Sequence, residues 1–302
     1  PIPLYVGSGS PLSNVGTLTN QGIELEVGYK LSVDKVNLSF LANASYVKNE
    51  IKNLGNQTGY IDKESLPTLG TVSRNENGYP IGYFFGYKAI GVFQTQEEID
   101  SYISPATGKP IQPNAAPGDT KFEDLNGDGV ISDDNEDRTM IGKPNPDWMV
   151  GLTVAADWNG FDLSAFFQGS FGADVFDALR RYELAAVNYT SDALERWTGP
   201  GTSNSMPRIV LGDTPKNFRP STLLVHDASF LRLRNLQVGY TLPAQLTRKA
   251  YIQRLRFYAS FDNLLTITGY KGMDPEIGST MGIDKGVYPQ ARVYTCLLYT
   301  SD

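Results

Sequence analysis

The feature that most constrains this chain is a period-two alternation sustained well beyond the length of an ordinary soluble strand. Ile23, Leu25, Val27, Tyr29, Leu31 and Val33 alternate with Glu24, Glu26, Gly28, Lys30, Ser32 and Asp34, so an extended strand here presents one apolar and one polar face. The pattern resumes with Leu38, Phe40, Ala42, Ala44 and Tyr46 against Asn37, Ser39, Asn43 and Ser45, and Asp34-Lys35 between the two runs reads as a tight hairpin turn. A second pair is Val150 to Trp158 and Phe161 to Phe167, joined by Asn159-Gly160, the dipeptide best suited to a turn with positive φ at both central residues. A third is Leu236 to Leu242 and Leu255 to Phe261. Upstream of Leu236 the apolar phase slips, because Leu231 and Leu233 are odd and Leu236 and Val238 even, which predicts a β-bulge near Arg234-Asn235.

Two architectures accommodate such hairpins. A soluble sandwich packs its apolar faces together and uses strands of about 5–6 residues, whereas a membrane barrel uses strands of about 9–11 residues or more, with short turns on one side and long loops on the other. The runs here favour the second, and the long insertions fall at 50–147, 172–228 and 266–290. Tyr29, Tyr46, Trp148, Trp158, Tyr240 and Tyr270 lie near strand ends, where an aromatic girdle belongs. The expected fold is all-β: an antiparallel transmembrane β-barrel, of which about seven or eight strands are visible, with long extracellular loops. Within the second insertion, Val175 to Trp197 has helical spacing and good helix formers, which predicts a short helix there.

Composition removes other classes. With 302 residues, 26 Lys+Arg, 33 Asp+Glu and a formal charge of −7, the chain is acidic and has no basic cluster, which argues against nucleic acid as partner. One cysteine, Cys296, and one histidine, His226, exclude a disulfide framework and a Cys- or His-based metal centre. No stretch approaches the roughly 18 consecutive apolar residues of a transmembrane helix. The chain starts at Pro1 without a basic-then-apolar leader, so a secretion signal is expected upstream.

The sharpest local motif runs from Asp124 to Asn135. Oxygen-bearing side chains stand at loop positions 1, 3 and 5 (Asp124, Asn126, Asp128), Gly129 permits the sharp turn, Val130 offers its carbonyl and Ser132 stands at position 9. Position 12 is Asn135 instead of the bidentate Glu, with Glu136 beside it as the other source of a sixth ligand. The expectation is a free-standing loop holding a structural calcium ion, with weak affinity of about 10⁻⁴–10⁻³ M. The competing reading is a polar Asx turn. Catalytic signals are poor: in an extended strand His226 points to the face opposite its neighbour Asp227, so His226, Asp227 and Ser229 form no triad on their own. The carboxylates Glu24, Glu26 and Asp157 make no pair at fixed spacing, so no enzymatic activity is expected.

Six ordered segments resemble a known family. Thr19-Asn20-Gln21-Gly22-Ile23-Glu24-Leu25, Gly118 to Gly129, Ile141-Gly142-Lys143-Pro144-Asn145-Pro146-Asp147, Phe161 to Gly169, Ser229 to Leu236 and Tyr288-Pro289-Gln290-Ala291-Arg292 resemble the C-terminal barrel of SusC/RagA-type TonB-dependent outer-membrane transporters. The resemblance implies residues 1–295 as a part of a barrel of about 22 strands, with the plug, the TonB-contacting segment and the signal outside the chain. It implies outer-membrane lipid, a TonB complex, a SusD-like surface lipoprotein and an oligosaccharide or peptide substrate as partners, and import of nutrient fragments as the function. Residues 296–302, Cys296-Leu297-Leu298-Tyr299-Thr300-Ser301-Asp302, depart from the family and read as a non-native tail. The rival from another class is a secreted, calcium-stabilised β-sandwich binding module, in which the apolar faces Ile23 to Val33 and Phe161 to Phe167 pack against each other.

Overall fold

The computed structural model describes residues 16–179, 188–277 and 281–301. Its frame is one sheet of seven strands: β1 (Thr17–Val33), β2 (Val36–Asn53), β3 (Trp148–Trp158), β4 (Phe161–Phe171), β5 (Phe230–Thr241), β6 (Arg254–Thr268) and β7 (Val293–Ser301). Each is antiparallel to its sequence neighbour, so the sheet is a simple meander. β1 and β2 turn at Asp34, which takes φ 53°, and β3 and β4 turn at Asn159 and Gly160, at φ 48° and 90°. Those left-handed values match the twist of the flanking strands. The third connection is longer than a tight turn, with a helical turn at Ala244–Thr247 inside residues 242–253.

Register places the apolar side chains in continuous rows. Tyr29, Phe40, Val154, Ala165, Leu236, Phe261 and Tyr294 are paired in turn across the whole sheet. The row nearest the tight turns is Val33, Val36, Trp158, Phe161, Tyr240, Phe257 and Leu298. This face is open: Ile23 is 74% exposed and Leu25 63%. The faces Ile23 to Val33 and Phe161 to Phe167 lie side by side on one surface of one sheet, which contradicts the sandwich. The predicted bulge is present, since pairing against β4 steps from Phe166–Asn235 to Phe167–Leu233 and leaves Arg234 as the extra residue of β5. On its other side β6 carries an extra residue of its own, since Asn263 and Leu264 both lie opposite Arg234 between the Leu233–Leu265 and Asn235–Asp262 pairs. β7 breaks the alternation, because Leu297 and Tyr299 pair with Tyr258 and Arg256 on the otherwise polar face.

The buried core belongs to the loops, not to the wall. Residues 54–147, 172–229 and 269–292 leave the same edge of the sheet and bury Val72, Phe84, Phe176, Leu224 and Ile283 together. The first loop folds a four-stranded sheet, Tyr60–Leu66, Gly70–Glu76, Tyr83–Tyr87 and Arg138–Gly142. Asp174–Asp177 pairs antiparallel with Val225–Asp227 and parallel with Ile283–Asp284, which ties the second loop to the third. The predicted helix over Val175 to Trp197 is accordingly not formed at its start, where pairing holds the chain extended. Residues 180–187 lie outside the described residues, and Ser191–Glu195 makes one 3-10 turn. Tyr270 also departs from expectation. It lies just beyond β6 and is only 7% exposed, where it packs with Ala173, Val175 and Ala228 and its hydroxyl donates to Asp284 Oδ2 at 2.7 Å.

Candidate functional site

The loop from Asp124 to Asp137 is held by its own side chains. Asp124 accepts from the Gly127 N–H through Oδ1 at 2.8 Å and from the Gly129 N–H through Oδ2 at 2.9 Å. Asn126 Oδ1 accepts from the Asp128 N–H at 3.0 Å, and Asp128 Oδ1 from the Val130 N–H at 2.8 Å. These are Asx turns, and they explain the Asp/Asn spacing locally. Gly127 and Gly129 take φ 76° and 90°, a region that glycine enters without steric cost. Glu136 returns to the loop, since Asn126 Nδ2 donates to its Oε2 at 3.0 Å. Asn135 Oδ1 instead accepts from Arg138 Nη1 at 3.4 Å.

The carboxylate that closes the loop is Asp137, which the twelve-residue count passes over. It has no exposed surface, and it accepts from the Leu125 N–H at 3.2 Å and the Ser132 N–H at 3.0 Å. Residues 133–136 thus form an outward excursion before the closing acid. The donor set is hard oxygen throughout, which suits calcium in kind. Among the described residues, however, no three His, Cys, Asp or Glu side chains converge as a metal site.

The aromatic run Tyr83-Phe84-Phe85-Gly86-Tyr87 has a physical role that its composition only hints at. Tyr83, Phe85 and Tyr87 share one face of their strand, and arginines from other segments slot between them. Arg74 lies over Tyr60 at 4.0 Å and Phe85 at 3.6 Å, Arg138 over Phe85 at 4.3 Å and Tyr87 at 5.7 Å, and Arg219 over Tyr87 at 4.7 Å and Phe122 at 5.0 Å. Each contact contributes about 0.5–2 kcal/mol depending on desolvation, and the column joins the first loop to the second. Tyr87 also donates from its hydroxyl to the Ser132 carbonyl at 2.7 Å, which fixes the Asp124 to Asp137 loop to the column.

The remaining motifs are joints between loops and wall. Gly118 carries the Trp197 ring against its α-carbon, and Asp119 is gripped by Arg208 Nε at 2.6 Å and Nη2 at 3.1 Å; this pairing raises the Arg208 pKa above its ordinary value. Where Lys143 leads the chain back to the wall, its N–H donates to Asp174 Oδ2 at 3.0 Å and its carbonyl accepts from the Asp174 N–H at 2.7 Å. Arg232 and Arg234 reach out of β5 to Asp274 and Glu276, since side chains two residues apart in a strand share one side. The Gln290 N–H donates to Asp274 Oδ2 at 2.9 Å, and Asn263 Nδ2 donates to the Ala291 carbonyl at 2.9 Å. His226 Nε2 lies 3.8 Å from Asp177 Oδ2, inside the loop core.

No family model matches the chain. It is 31% identical over 98% of its length to TonB-dependent receptor P3 of Formosa agariphila, and covers 30% of that protein. It is 30% identical over 93% of its length to TonB-dependent receptor SusC of Bacteroides thetaiotaomicron, and covers 26% of it. The chain therefore spans less than a third of the curated relatives it matches. Among solved structures it superposes on the RagAB peptide importer in the open-open state with TM-score 0.75 and 26% identity, over 100% of this chain and 31% of that one. On the closed-closed state the TM-score is 0.72.

Proposed function

Over the length it spans, the chain belongs to the SusC/RagA type of TonB-dependent receptors, and from that premise we propose that it is a part of the wall and the surface-loop cluster of an outer-membrane importer. The observation that carries the proposal is the open apolar face, with its rows running unbroken from β1 to β6. Aromatic rings bracket that face. Tyr46 and Trp148 lie 5.0 Å apart toward the long loops, and Phe161 lies 6.2 Å from Trp158 and 4.5 Å from Tyr240 toward the tight turns. Along β3, Trp148 and Trp158 bound an eleven-residue strand, roughly 33 Å end to end at about 3.3 Å per residue. At a tilt of about 40° the vertical extent is roughly 25 Å, the height of the apolar band of an outer-membrane barrel.

In this reading lipid meets the apolar face, and the polar face lines a lumen with groups such as the Arg256–Asp162 ion pair. The long loops are extracellular and contact cargo and a SusD-like lipoprotein, while a TonB complex acts through a segment outside this chain. The cargo is a glycan or peptide fragment, the peptide being what the RagAB importer carries by its title. Residues 1–295 are assigned to the C-terminal part of the barrel and 296–302 to a non-native tail. A calcium ion, where bound, is held by oxygens of Asp124, Asn126, Asp128, Val130 and Ser132, with Asn135 or Glu136 completing the set, and it supplies loop order. Fractionation of the full-length receptor, followed by uptake of labelled oligosaccharide and peptide with and without a proton-motive TonB system, tests the proposal. Outer-membrane recovery with TonB-dependent uptake is expected, and a water-soluble monomer without detergent contradicts it.

A further inference from the structure

Two cavities in the loop cluster, of about 830 and 500 Å³, share a partition made by Asp133, Lys216 and Arg219, which line both. The three groups come from two loops. Asp133 projects from the excursion between Asp124 and Asp137, whereas Lys216 and Arg219 belong to the second loop. Lys216 Nζ is ion-paired with Asp133 Oδ2, and Arg219 Nη1 stands 3.9 Å from Asp133 Oδ1. That distance is too long for a hydrogen bond, and Arg219 Nη1, shut off from solvent, meets no acceptor. The Arg219 guanidinium is fixed from the other side by the rings of Tyr87 and Phe122.

The remaining acids of the two cavities are committed elsewhere. Asp119 is held by Arg208, and Asp213 accepts from the N–H groups of Asn217 and Phe218 at 2.8 and 2.9 Å. On the cationic side Lys109 lines the first cavity and Arg138 the second. Asp133 is therefore the carboxylate at a junction that is otherwise cationic, and its side chain is 68% exposed. An exposed carboxylate returns to water at little cost. The Arg219 guanidinium, with 14% of its side chain exposed, binds a carboxylate better than it does in open water, and the half-exposed Lys216 adds a screened contact.

We propose that the partition is a carboxylate-binding subsite, in which Asp133 occupies the place that a carboxylate of the cargo takes. The inference rests on the reading of these loops as the cargo-facing side of an importer. A chain-like acid fits with its charge at the partition and its neighbouring units in the two chambers, whose sizes fall in the range of small-ligand sites. The exchange is a swap of one carboxylate for another and involves no covalent step.

The test is calorimetric titration of the detergent-solubilised full-length receptor with four probes: trigalacturonate, neutral maltotriose, acetyl-tetra-alanine as the free acid, and its C-terminal amide. Binding of at least one acid and neither neutral partner is expected, and the acid that binds identifies the source of the carboxylate. Asp133→Asn removes the internal competitor and should tighten that acid about threefold or more, while Lys216→Gln with Arg219→Gln should weaken it about tenfold or more. Equal affinities in all three proteins, equal binding of acids and neutral probes, or no binding of any probe each overturns the subsite. Thermal unfolding midpoints within about 2 °C of wild type, a shift below that of about 1 kcal/mol, show that the variants are folded. Asp133→Asn adds a gain of affinity, which misfolding does not produce. Uptake measured alongside separates the two claims: transport without dependence on the carboxylate removes the subsite alone, and acid binding by a protein that transports nothing removes the importer.

Discussion

Arg232 and Asp274 meet where wall and loops join, with Nη2 2.5 Å from Oδ1 and only 2% and 6% of the two residues exposed. Arg232 also donates from Nε to Thr266 Oγ1 at 2.9 Å and from Nη1 to Glu276 Oε2 at 3.0 Å, so the guanidinium spends its donors on both β6 and the third loop. Replacing Arg232 by Leu leaves a buried carboxylate unpaired, a change that costs about 3–5 kcal/mol. Hydrogen exchange on the full-length receptor should show residues 270–290 losing protection, with β1 and β2 unchanged.

The same contact predicts an acid limit. Burial works to raise the Asp274 pKa, but the Gln290 and Glu276 N–H groups and the Arg232 guanidinium outweigh it and hold the carboxyl below its ordinary value. A carboxylate with a depressed folded pKa contributes stability above its unfolded pKa of about 4, and that contribution disappears as pH falls through the folded value. Loop protection should therefore be flat from pH 8 to about 5 and decline below about 4. A decline that survives in Asp274→Asn assigns the effect to another group.

Gly118 takes φ 92°, and a β-carbon there would lie 2.4 Å from Trp197 Cε3. Gly118→Ala combines a strained backbone with overpacking and should cost about 2–4 kcal/mol. In a Trp197→Leu background the added cost should shrink toward the backbone part alone, about 1 kcal/mol. Limited proteolysis within residues 197–208 reads the difference.

For the Asp124 to Asp137 loop, titration of the full-length receptor with calcium should give a dissociation constant of about 10⁻⁴–10⁻³ M. Asp124→Asn with Asp128→Asn should abolish the heat, and Asp137→Asn should weaken it by opening the loop that its carboxylate closes. Identical heats from wild type and the double variant reduce the stretch to a hydrogen-bonded turn.

Some of this was legible before the structure and some was not, and the division has a cause. Period two is a local signal, so the wall hairpins, the Asn159-Gly160 turn and the extra residue Arg234 could be read from neighbours alone. The loop core is not local: Phe84 packs with Phe176 and Ile283, residues whose separations carry no period. Pairing between loops also overrode the helical spacing at Val175 to Asp177. Asp137 was hidden by counting, because residues 133–136 lengthen the loop before its closing acid. The Arg138 and Arg219 partners of the aromatic run had no signal beyond the presence of charge.

The central claim is the proposal that Leu163 and Val154 face lipid while Ser164 and Thr153 face the lumen; the register of β3 and β4 puts the first two on one face of the sheet and the last two on the other. Folding of the full-length receptor into vesicles, with Arg placed at each of the four positions in turn, tests it most directly. Arg at Leu163 or Val154 should cost about 2–4 kcal/mol near the bilayer midplane, and Arg at Ser164 or Thr153 about 1 kcal/mol or less. Equal costs at the two pairs, or the larger cost at Ser164 and Thr153, would contradict the assignment of faces and with it the barrel wall.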